Sequence, residues 1–231
     1  TVVGTASVTT TSGTATFTDV GISGTVGTVY TLTYAVSGVT SVTQTIRPAG
    51  LSLTTSAATA ASGAVFGTQP VVKMLLSSGA TDTTDSSTIV TMTVSRGASI
   101  VGTATTTMVA GEAIFSGVGI SGFSGKTYTI TYSAPGMASA TQTIAPTTGA
   151  AAQLVITYYP TFAVNGSAFG FDQASNYLKV AIRDSGGNTV SSSATVTASV
   201  NNGGTLAGTT APAASGGIAT FTGLGITGTT G

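Results

Sequence analysis

The sequence predicts an all-β fold in which antiparallel β-sandwich domains of about 100 residues follow one another along the chain. Three observations predict it. Apolar residues alternate with polar ones, turn-forming residues separate these stretches, and the chain repeats its own sequence. No stretch combines the 3.6-residue spacing of an amphipathic helix with helix caps, so the sequence predicts no helix.

The alternation of apolar and polar residues is clearest in four short stretches, residues 30–34, 90–94, 178–182 and 196–200. Successive side chains of a strand point to opposite faces, so this pattern predicts half-buried antiparallel strands. Threonine makes up roughly a fifth of the chain, and β-branched residues are favoured on a pleated, half-exposed face.

Turn-forming residues separate the predicted strands at residues 78–79, 135–136, 184–188 and 201–204. Glycine, proline, asparagine and aspartate each favour turns, and Asp184 is expected to cap its own turn. Short segments that begin with Pro48 and Pro146 predict linkers between domains, at residues 48–50 and 146–149.

The chain repeats itself without a gap over its first part: residues 1–48 match residues 99–146 at 25 of 48 positions, an offset of 98. Residues 219–228 match residues 113–122 at an offset of 106. Phe66 matches Phe169 at an offset of 103 and Lys73 matches Lys179 at an offset of 106, which predicts a three-residue insertion near residues 171–173.

These offsets predict three sequence units. The first unit, residues 1–48, is the C-terminal part of a repeat; the central unit, residues 49–146, is a complete repeat; the third unit, residues 147–231, is a repeat without its last strands. Either the sequence is a window on a longer tandem array, which we favour, or neighbouring copies in a polymer complete the partial units.

Several motifs recur in order along the units: GIS/TG at residues 21, 119 and 225, YT[LI]TY at residues 30 and 128, and TQTI at residues 43 and 141. Together they resemble the tandem bacterial immunoglobulin-like repeats of giant surface proteins, such as adhesin stalks, surface-layer subunits and fibre subunits. The resemblance covers essentially the whole chain and implies immunoglobulin-like sandwiches that act as a scaffold. Tyr30 and Tyr128 are either tyrosine corners or plain core tyrosines.

The composition excludes most chemistry. The chain has no histidine and no cysteine, so it lacks the residues for Ser-His-Asp or Cys-His catalysis, for an ordinary zinc site and for disulfides. Charged residues are 5% of the chain, against about 25% in an average domain. With six lysines and arginines and a net charge of zero, we expect no nucleic-acid surface, and no apolar run is long enough for a membrane helix. We therefore expect no catalytic residue, no metal and no cofactor.

Two glycine motifs and a pair of aspartates imitate known sites. Residues 117–122 fit G-x-G-x-x-G, but a strand is predicted after them where a dinucleotide site needs a helix. Residues 125–127 imitate the end of a phosphate-binding loop, with Ile120 where that motif requires glycine. Asp82 and Asp85 could ligate calcium, but we favour an exposed loop, and Glu112 is the only glutamate in the chain.

Three further features are candidate modification or contact sites. Fibre domains of the kind that this chain resembles sometimes carry a lysine isopeptide crosslink, but the apolar neighbours of Lys73 and Lys179 predict that both lysines face solvent. Asn165 begins an Asn-Gly-Ser glycosylation sequon. Tyr158 and Tyr159 are the only adjacent aromatic pair; we favour an interdomain contact over a ligand platform.

The low charge and the repeats together predict a structural, non-enzymatic module of a self-assembling extracellular fibre or surface layer at the cell surface. Its expected partners are other copies of itself, with surface glycans as a further candidate. The alternative is an adhesin that binds glycans or a host surface through loops at the ends of the sandwiches. An immunoglobulin-like decoration of a phage virion fits the same sequence features.

Overall fold

The computed structural model describes residues 1–58, 60–170 and 177–228. The regular secondary structure of these residues consists of β-strands, without a helix. All sheets are antiparallel. The all-β prediction is therefore confirmed. Nowhere in these three ranges is there a helix with the length and apolar character needed to cross a membrane.

The first unit contains two antiparallel pairs of strands, β1 with β2 and β3 with β4. Exposure alternates along β3 as its sequence predicts, because its apolar residues face inward and its threonines face outward. The four strands are β1 (Val2–Val3), β2 (Gly21–Ile22), β3 (Tyr30–Tyr34) and β4 (Val42–Ile46).

The central unit contains ten strands: β5 (Gly50–Thr55), β6 (Ala64–Val65), β7 (Val71–Leu75), β8 (Ile89–Val94), β9 (Ala98–Val101), β10 (Thr105–Thr107), β11 (Glu112–Ile114), β12 (Gly119–Gly122), β13 (Tyr128–Ser133) and β14 (Ala140–Ile144). They form sheets with the strand orders β11-β7-β5, β10-β8-β13-β14 and β6-β12-β9. Two isolated parallel bridges, Gly50 to Ala138 and Ala61 to Thr147, link the start of the unit to its last strand region.

One hydrophobic core lies between the sheets of the central unit and takes side chains from all three of them. Val72 of β7 is fully buried together with Ile130 and Tyr132 of β13. The rings of Phe115 and Tyr132 meet in a tilted arrangement with their centroids 5.6 Å apart, a geometry that aromatic pairs favour. Period-two patterning thus places the apolar face of each strand in one shared interior.

The third unit contains five strands within the described residues: β15 (Gln153–Tyr158), β16 (Leu178–Arg183), β17 (Thr205–Ala207), β18 (Ile218–Phe221) and β19 (Gly225–Thr227). They form the sheets β15-β16-β18 and β17-β19. A smaller core contains Val180, Phe221 and Leu224.

Strand registers recur between units. The pairs β1 with β2 and β3 with β4 have the same residue partners as β9 with β12 and β13 with β14, each displaced by 98 residues. The pair β17 with β19 repeats the β9 with β12 register at a displacement of 106. These displacements equal the offsets between the repeated sequences.

The alignment of Lys73 with Lys179 is wrong. In the central unit Val72 pairs with Ala113, and in the third unit Val180 pairs with Ala219, so the strands β7 and β16 are related by 108 residues. Lys73 therefore corresponds to Ala181, because backbone pairing and burial, rather than the identity of one lysine, determine register. The insertion that we expected near residues 171–173 lies outside the described residues.

The prediction of a strand at residues 196–200 is also wrong: these residues form no strand, and an isolated bridge joins only the preceding residue, Thr195, to Ala213. Its central counterpart, β8, pairs with β10 on one side and β13 on the other. In the third unit Pro212 stands where β10 has Thr106, and Val196 donates a hydrogen bond to its carbonyl. Proline has no backbone N–H, so it cannot donate the reciprocal hydrogen bond to the Val196 carbonyl, and the ladder is interrupted.

Candidate functional site

Asp184 is the centre of a buried polar cluster between the central and third units. It is fully buried at the start of the 184–188 turn. Its Oδ2 accepts a hydrogen bond from the Gly149 amide at 2.8 Å, and its Oδ1 accepts from the amides of Gly186 and Asn188 at 2.9 Å. The expected turn cap is present, and the same carboxylate also holds the 146–149 linker.

Opposing effects act on the ionisation of Asp184. Burial of the carboxylate raises its pKa, but the hydrogen bonds from Gly149, Asn188 and Gly186 outweigh burial and hold the pKa below its usual value. A buried carboxylate that accepts several hydrogen bonds remains ionised, so the turn keeps its charge at neutral pH.

Asn188 connects this turn to the preceding unit. Its Nδ2 donates to Asp184 Oδ2 at 2.8 Å and to the Gly122 carbonyl at 2.9 Å. Its Oδ1 accepts from the Ser124 amide at 2.8 Å. One amide side chain thus joins the carboxylate of the third unit to the backbone of the central unit. We call the contacts of the 184–188 turn with the 146–149 linker, with Ser62 and with residues 119–124 the central–third joint.

The backbones approach closely at the central–third joint. A Cβ on Gly186 would overlap the Ser62 hydroxyl and the Gly122 carbonyl, so only glycine fits at that position. Ser62 is buried, and its hydroxyl accepts from the Gly122 amide at 3.1 Å. Ser121 and Ser185 add a hydroxyl pair at 3.0 Å. The joint is therefore tightly packed as well as hydrogen-bonded.

The boundary between the first and central units uses the same turn with different side chains. The 76–80 turn has the backbone hydrogen bonds of the 184–188 turn, displaced by 108 residues. Here the Arg47 guanidinium donates to the Ser78 carbonyl, and Gly27 lies against the Leu75 side chain. Two successive boundaries therefore share one backbone geometry, although their side chains differ.

Two tyrosines order the loops next to these boundaries. The Tyr128 hydroxyl accepts from the Phe123 amide at 2.9 Å, and the Tyr30 hydroxyl accepts from the Thr25 amide at 3.0 Å. Both tyrosines reach back five residues to the backbone, which is the geometry of a tyrosine corner. Tyr128 is also buried in the core of the central unit, so both alternatives that the sequence left open apply to it.

The sequon residue Asn165 lies in an exposed loop of the third unit. Its Nδ2 donates to the Gly228 carbonyl at 2.9 Å, and its Oδ1 accepts from the Gly228 amide at 3.0 Å. The corresponding bond in the central unit joins Ser62 to Gly122. Asn165 thus occupies a position that, one unit earlier, belongs to a joint; its glycosylation stays a prediction.

The aromatic pair lies at the end of β15. Tyr159 is exposed over 65% of its surface, whereas Tyr158 is half-buried beside a register shift in the β15 and β16 pair. Tyr158 pairs with Lys179, whereas the residue next to the 184–188 turn, Arg183, pairs with Gln153 at the other end of β15. An interdomain contact and a ligand platform both remain predictions for this pair.

The two glycine motifs lie in strands and turns. Residues 119–122 of the first motif form β12, and the next regular element is β13, so the helix that a pyrophosphate site needs does not follow. Lys126 of the second motif lies over the Tyr128 ring, 5.6 Å from its centroid. This cation–π contact gives the lysine a role within the loop.

Asp82 and Asp85 each hold their own turn. Asp82 Oδ1 accepts from the Thr84 amide, and Asp85 Oδ1 accepts from the amides of Ser87 and Thr88 at 3.0 Å. Hydrogen bonds from Thr88 and Ser87 hold the pKa of Asp85 below its usual value. No group of three or more potential metal-ligating residues occurs in the described ranges, and both carboxylates act as turn caps.

Lys73 forms an ion pair with the only glutamate. Its Nζ lies 2.7 Å from Glu112 Oε1, and the two side chains are 32% and 37% exposed. Because Lys73 and Glu112 are register partners on β7 and β11, the pair joins neighbouring strands. The outward orientation expected for Lys73 is confirmed.

Sequence reasoning identified the 184–188 turn but missed the joint that it forms. The available signal was the cluster of aspartate, glycines and asparagine at residues 184–188, which is richer in polar groups than a simple turn requires. No protein-family model, curated protein or solved structure matches the chain.

Proposed function

We propose that this chain is a structural, non-enzymatic repeat module of a self-assembling extracellular fibre or surface layer. The observation that carries the proposal is the central–third joint, in which Asp184 and Asn188 bind the backbone of the linker and of the preceding unit. Units joined in this way keep a defined relative orientation. A fixed orientation between successive units is what a stiff shaft or a regular lattice requires.

The strand order of the central unit supports an immunoglobulin-like sandwich as the repeated domain. The sheets β11-β7-β5 and β10-β8-β13-β14 share one core, which is the arrangement of two facing sheets in that fold. The parallel bridge from Ala61 to Thr147 and the tyrosine corner at Tyr128 support the same assignment. The registers repeated at displacements of 98 and 106 residues support a tandem arrangement of such domains.

The surface supports assembly with other copies. Soluble monomers carry roughly 25–35% charged residues on their surface, whereas only 12 of these 231 residues are charged. Val109, Ile114 and Leu154 are exposed over 70%, 60% and 59% of their surfaces. Weakly charged faces with exposed apolar side chains favour lateral contacts between neighbouring copies.

The proposal is tested by electron microscopy of the purified chain over a range of concentrations at neutral pH. Ordered filaments or sheets are expected, with the spacing of successive sandwiches visible along them. A matched variant, Asn188→Ala, should lower the order of the assemblies because it removes the link between units. Flexible, separate particles at every concentration would contradict a self-assembling scaffold.

An adhesin is the second candidate, and one observation favours it. Tyr159 and Phe162 are exposed over 65% and 60% of their surfaces, and they belong to one loop of the third unit. Exposed aromatic rings stack on the apolar faces of sugars. The variant Tyr159→Ala with Phe162→Ala distinguishes the candidates: loss of binding to immobilised glycans supports the adhesin, whereas unchanged assembly without glycan binding supports the scaffold.

A further inference from the structure

The first unit has an open apolar groove of about 580 Å³. It lies over the inner face of β3 and β4, and none of the described residues fills it. Its apolar lining includes Phe17, Val20, Leu32, Tyr34, Val36 and Val42. An exposed apolar groove of this size is typical of a surface that binds a partner.

The central unit shows what such a surface contacts when it is covered. Val36 corresponds to Ala134, and Val42 corresponds to Ala140, at the displacement of 98 that the strand registers share. Val36 and Val42 are 63% and 65% exposed, whereas Ala134 and Ala140 are each 8% exposed. In the central unit, Ala134 and Ala140 belong to one buried core together with Leu51 of β5, Val72 of β7 and Val90 of β8. Residues 1–48 match residues 99–146 and contain no counterpart of these three strands.

The groove keeps the geometry of a closed core. The rings of Phe17 and Tyr34 lie 5.7 Å apart with an interplanar angle of 53°, and their counterparts Phe115 and Tyr132 lie 5.6 Å apart at 56°. The aromatic pair in the groove of the first unit therefore has the same geometry as the pair that is covered in the core of the central unit.

Gln44 of β4 provides a further comparison, because its counterpart in the central unit, Gln142, binds a backbone that covers the core. The Gln142 side chain donates to the Ala57 carbonyl at 3.0 Å and accepts from the Ala57 amide at 2.8 Å. It therefore binds both backbone groups of one residue on the covering segment. Its counterpart Gln44 is exposed, and among the described residues its side chain donates only to the Tyr34 hydroxyl. An extended backbone laid along the groove would offer Gln44 the amide and carbonyl that Gln142 binds.

We infer that the groove of the first unit binds a polypeptide half-repeat with the strand pattern of residues 49–97, which closes it into a complete domain. The inference rests on the matched exposures and contacts of the two units, and it does not depend on the extracellular role proposed above. The occupant carries alternating apolar strands like β5, β7 and β8, and an extended segment that reaches Gln44.

The test extends the full chain with a second copy of residues 49–98 placed directly before Thr1, which reproduces the sequence spacing of the central unit. The chain has no cysteine, so Val42→Cys supplies a single thiol in the groove. Ala140→Cys supplies the closed reference, and Val109→Cys, in an exposed turn, supplies the open one. The rate of reaction with a thiol reagent is measured in the original and extended chains.

In the original chain, Val42→Cys is expected to react at a rate close to that of Val109→Cys. In the extended chain its rate should fall by about tenfold or more, toward that of Ala140→Cys, because a closed core exposes its side chains only on opening. An extended control chain, in which the inserted counterparts of Val72 and Val90 are aspartates, should leave the fast rate unchanged.

An unchanged rate in an extended chain whose circular dichroism shows added strand content would overturn the inference. If the insert adds no strand signal, the original chain is labelled with an excess of a synthetic polypeptide of residues 49–97, and lack of protection there overturns it equally. Protection of the original chain alone, rising with concentration alongside a dimer in light scattering, would assign the groove to a second copy instead.

Discussion

Individual polar side chains of this protein bind backbone groups outside the strand ladders. Asp184 accepts hydrogen bonds from Gly149, Gly186 and Asn188, and Gln142 binds both backbone groups of Ala57. A buried polar group that loses its partner costs more than the net value of the bond, so these positions tolerate little change.

Replacement of the buried carboxylate should loosen the central–third joint. In Asp184→Asn, the new amide N–H groups face the N–H donors of Gly149 or Asn188, which should cost about 1–3 kcal/mol of stability. Faster hydrogen exchange at the Gly149 and Gly186 amides, with a lower thermal midpoint, would report the loss. Asp82→Asn, in a half-exposed turn, is the matched control and should change stability by less than about 0.5 kcal/mol.

The same carboxylate predicts how the joint responds to pH. The pKa of Asp184 is lower in the folded chain than in the unfolded chain, so its contribution is complete above the unfolded pKa of about 4 and is lost as pH falls through the folded pKa. Exchange at Gly149 should therefore rise below about pH 4, beyond the intrinsic pH dependence. A wild-type profile that matches Asp184→Asn would contradict this.

The two glutamines provide a matched pair within one chain. Gln142→Ala removes both bonds to Ala57 and leaves the amide and carbonyl of this buried residue without partners, so we expect a loss of about 1–3 kcal/mol. Gln44→Ala removes only an exposed bond to Tyr34 and should cost about 0.5 kcal/mol or less. Chemical denaturation of both variants measures the difference, and equal losses would show that the Ala57 contact contributes nothing.

At the scale of elements, a tight turn recurs in every unit. Residues 11–14, 109–112 and 215–218 each form an antiparallel bridge across two central residues with positive φ. Positive φ at both central positions is the geometry of a type I′ hairpin turn, which favours asparagine followed by glycine. Glycine stands second in all three turns, but Ala110 occupies the first position of the central one with φ of 50°.

Replacement of this alanine should stabilise the central unit. Asparagine tolerates the left-handed conformation better than alanine does, so Ala110→Asn should raise stability by about 0.5–1 kcal/mol. The change is measured as a higher midpoint of unfolding in denaturant. Thr107→Asn, at an exposed residue of β10, is the control and should not stabilise the chain; an unchanged midpoint in Ala110→Asn would contradict the assignment of strain.

At the scale of the whole molecule, we expect the central–third joint to determine how stiff the chain is. Asn188→Ala removes the bonds that link Asp184 with Gly122 and Ser124, while the 146–149 linker remains. We expect a broader distribution of orientations between the central and third units, seen in small-angle scattering as a smaller maximum dimension and a smoother profile. Asn201→Ala, in an exposed turn of the third unit, should leave the scattering unchanged. The same change of scattering in Asn201→Ala would contradict the assignment of stiffness to the bonds of Asn188.

Much of the fold could be predicted from local pattern. Alternation predicted β3, β8 and β16, and glycine, proline and asparagine predicted the turns, because strand faces and turn dihedrals depend on neighbouring residues. The offsets between the repeated sequences equal the displacements between the strand registers. The strand expected at residues 196–200 was wrong because its pairing depends on Pro212, which lies on another segment.

The candidate site could not be predicted in the same way. The sequence by itself determined that the chain is all-β, poor in charge and without the side chains of common catalytic centres, since composition and period-two alternation are local properties. Only the tertiary structure decided that Lys73 corresponds to Ala181, that Asp184 is buried and that Asn188 binds the preceding unit. Those facts depend on register and on contacts between residues about 60 positions apart, and no local pattern encodes which distant backbone groups will meet.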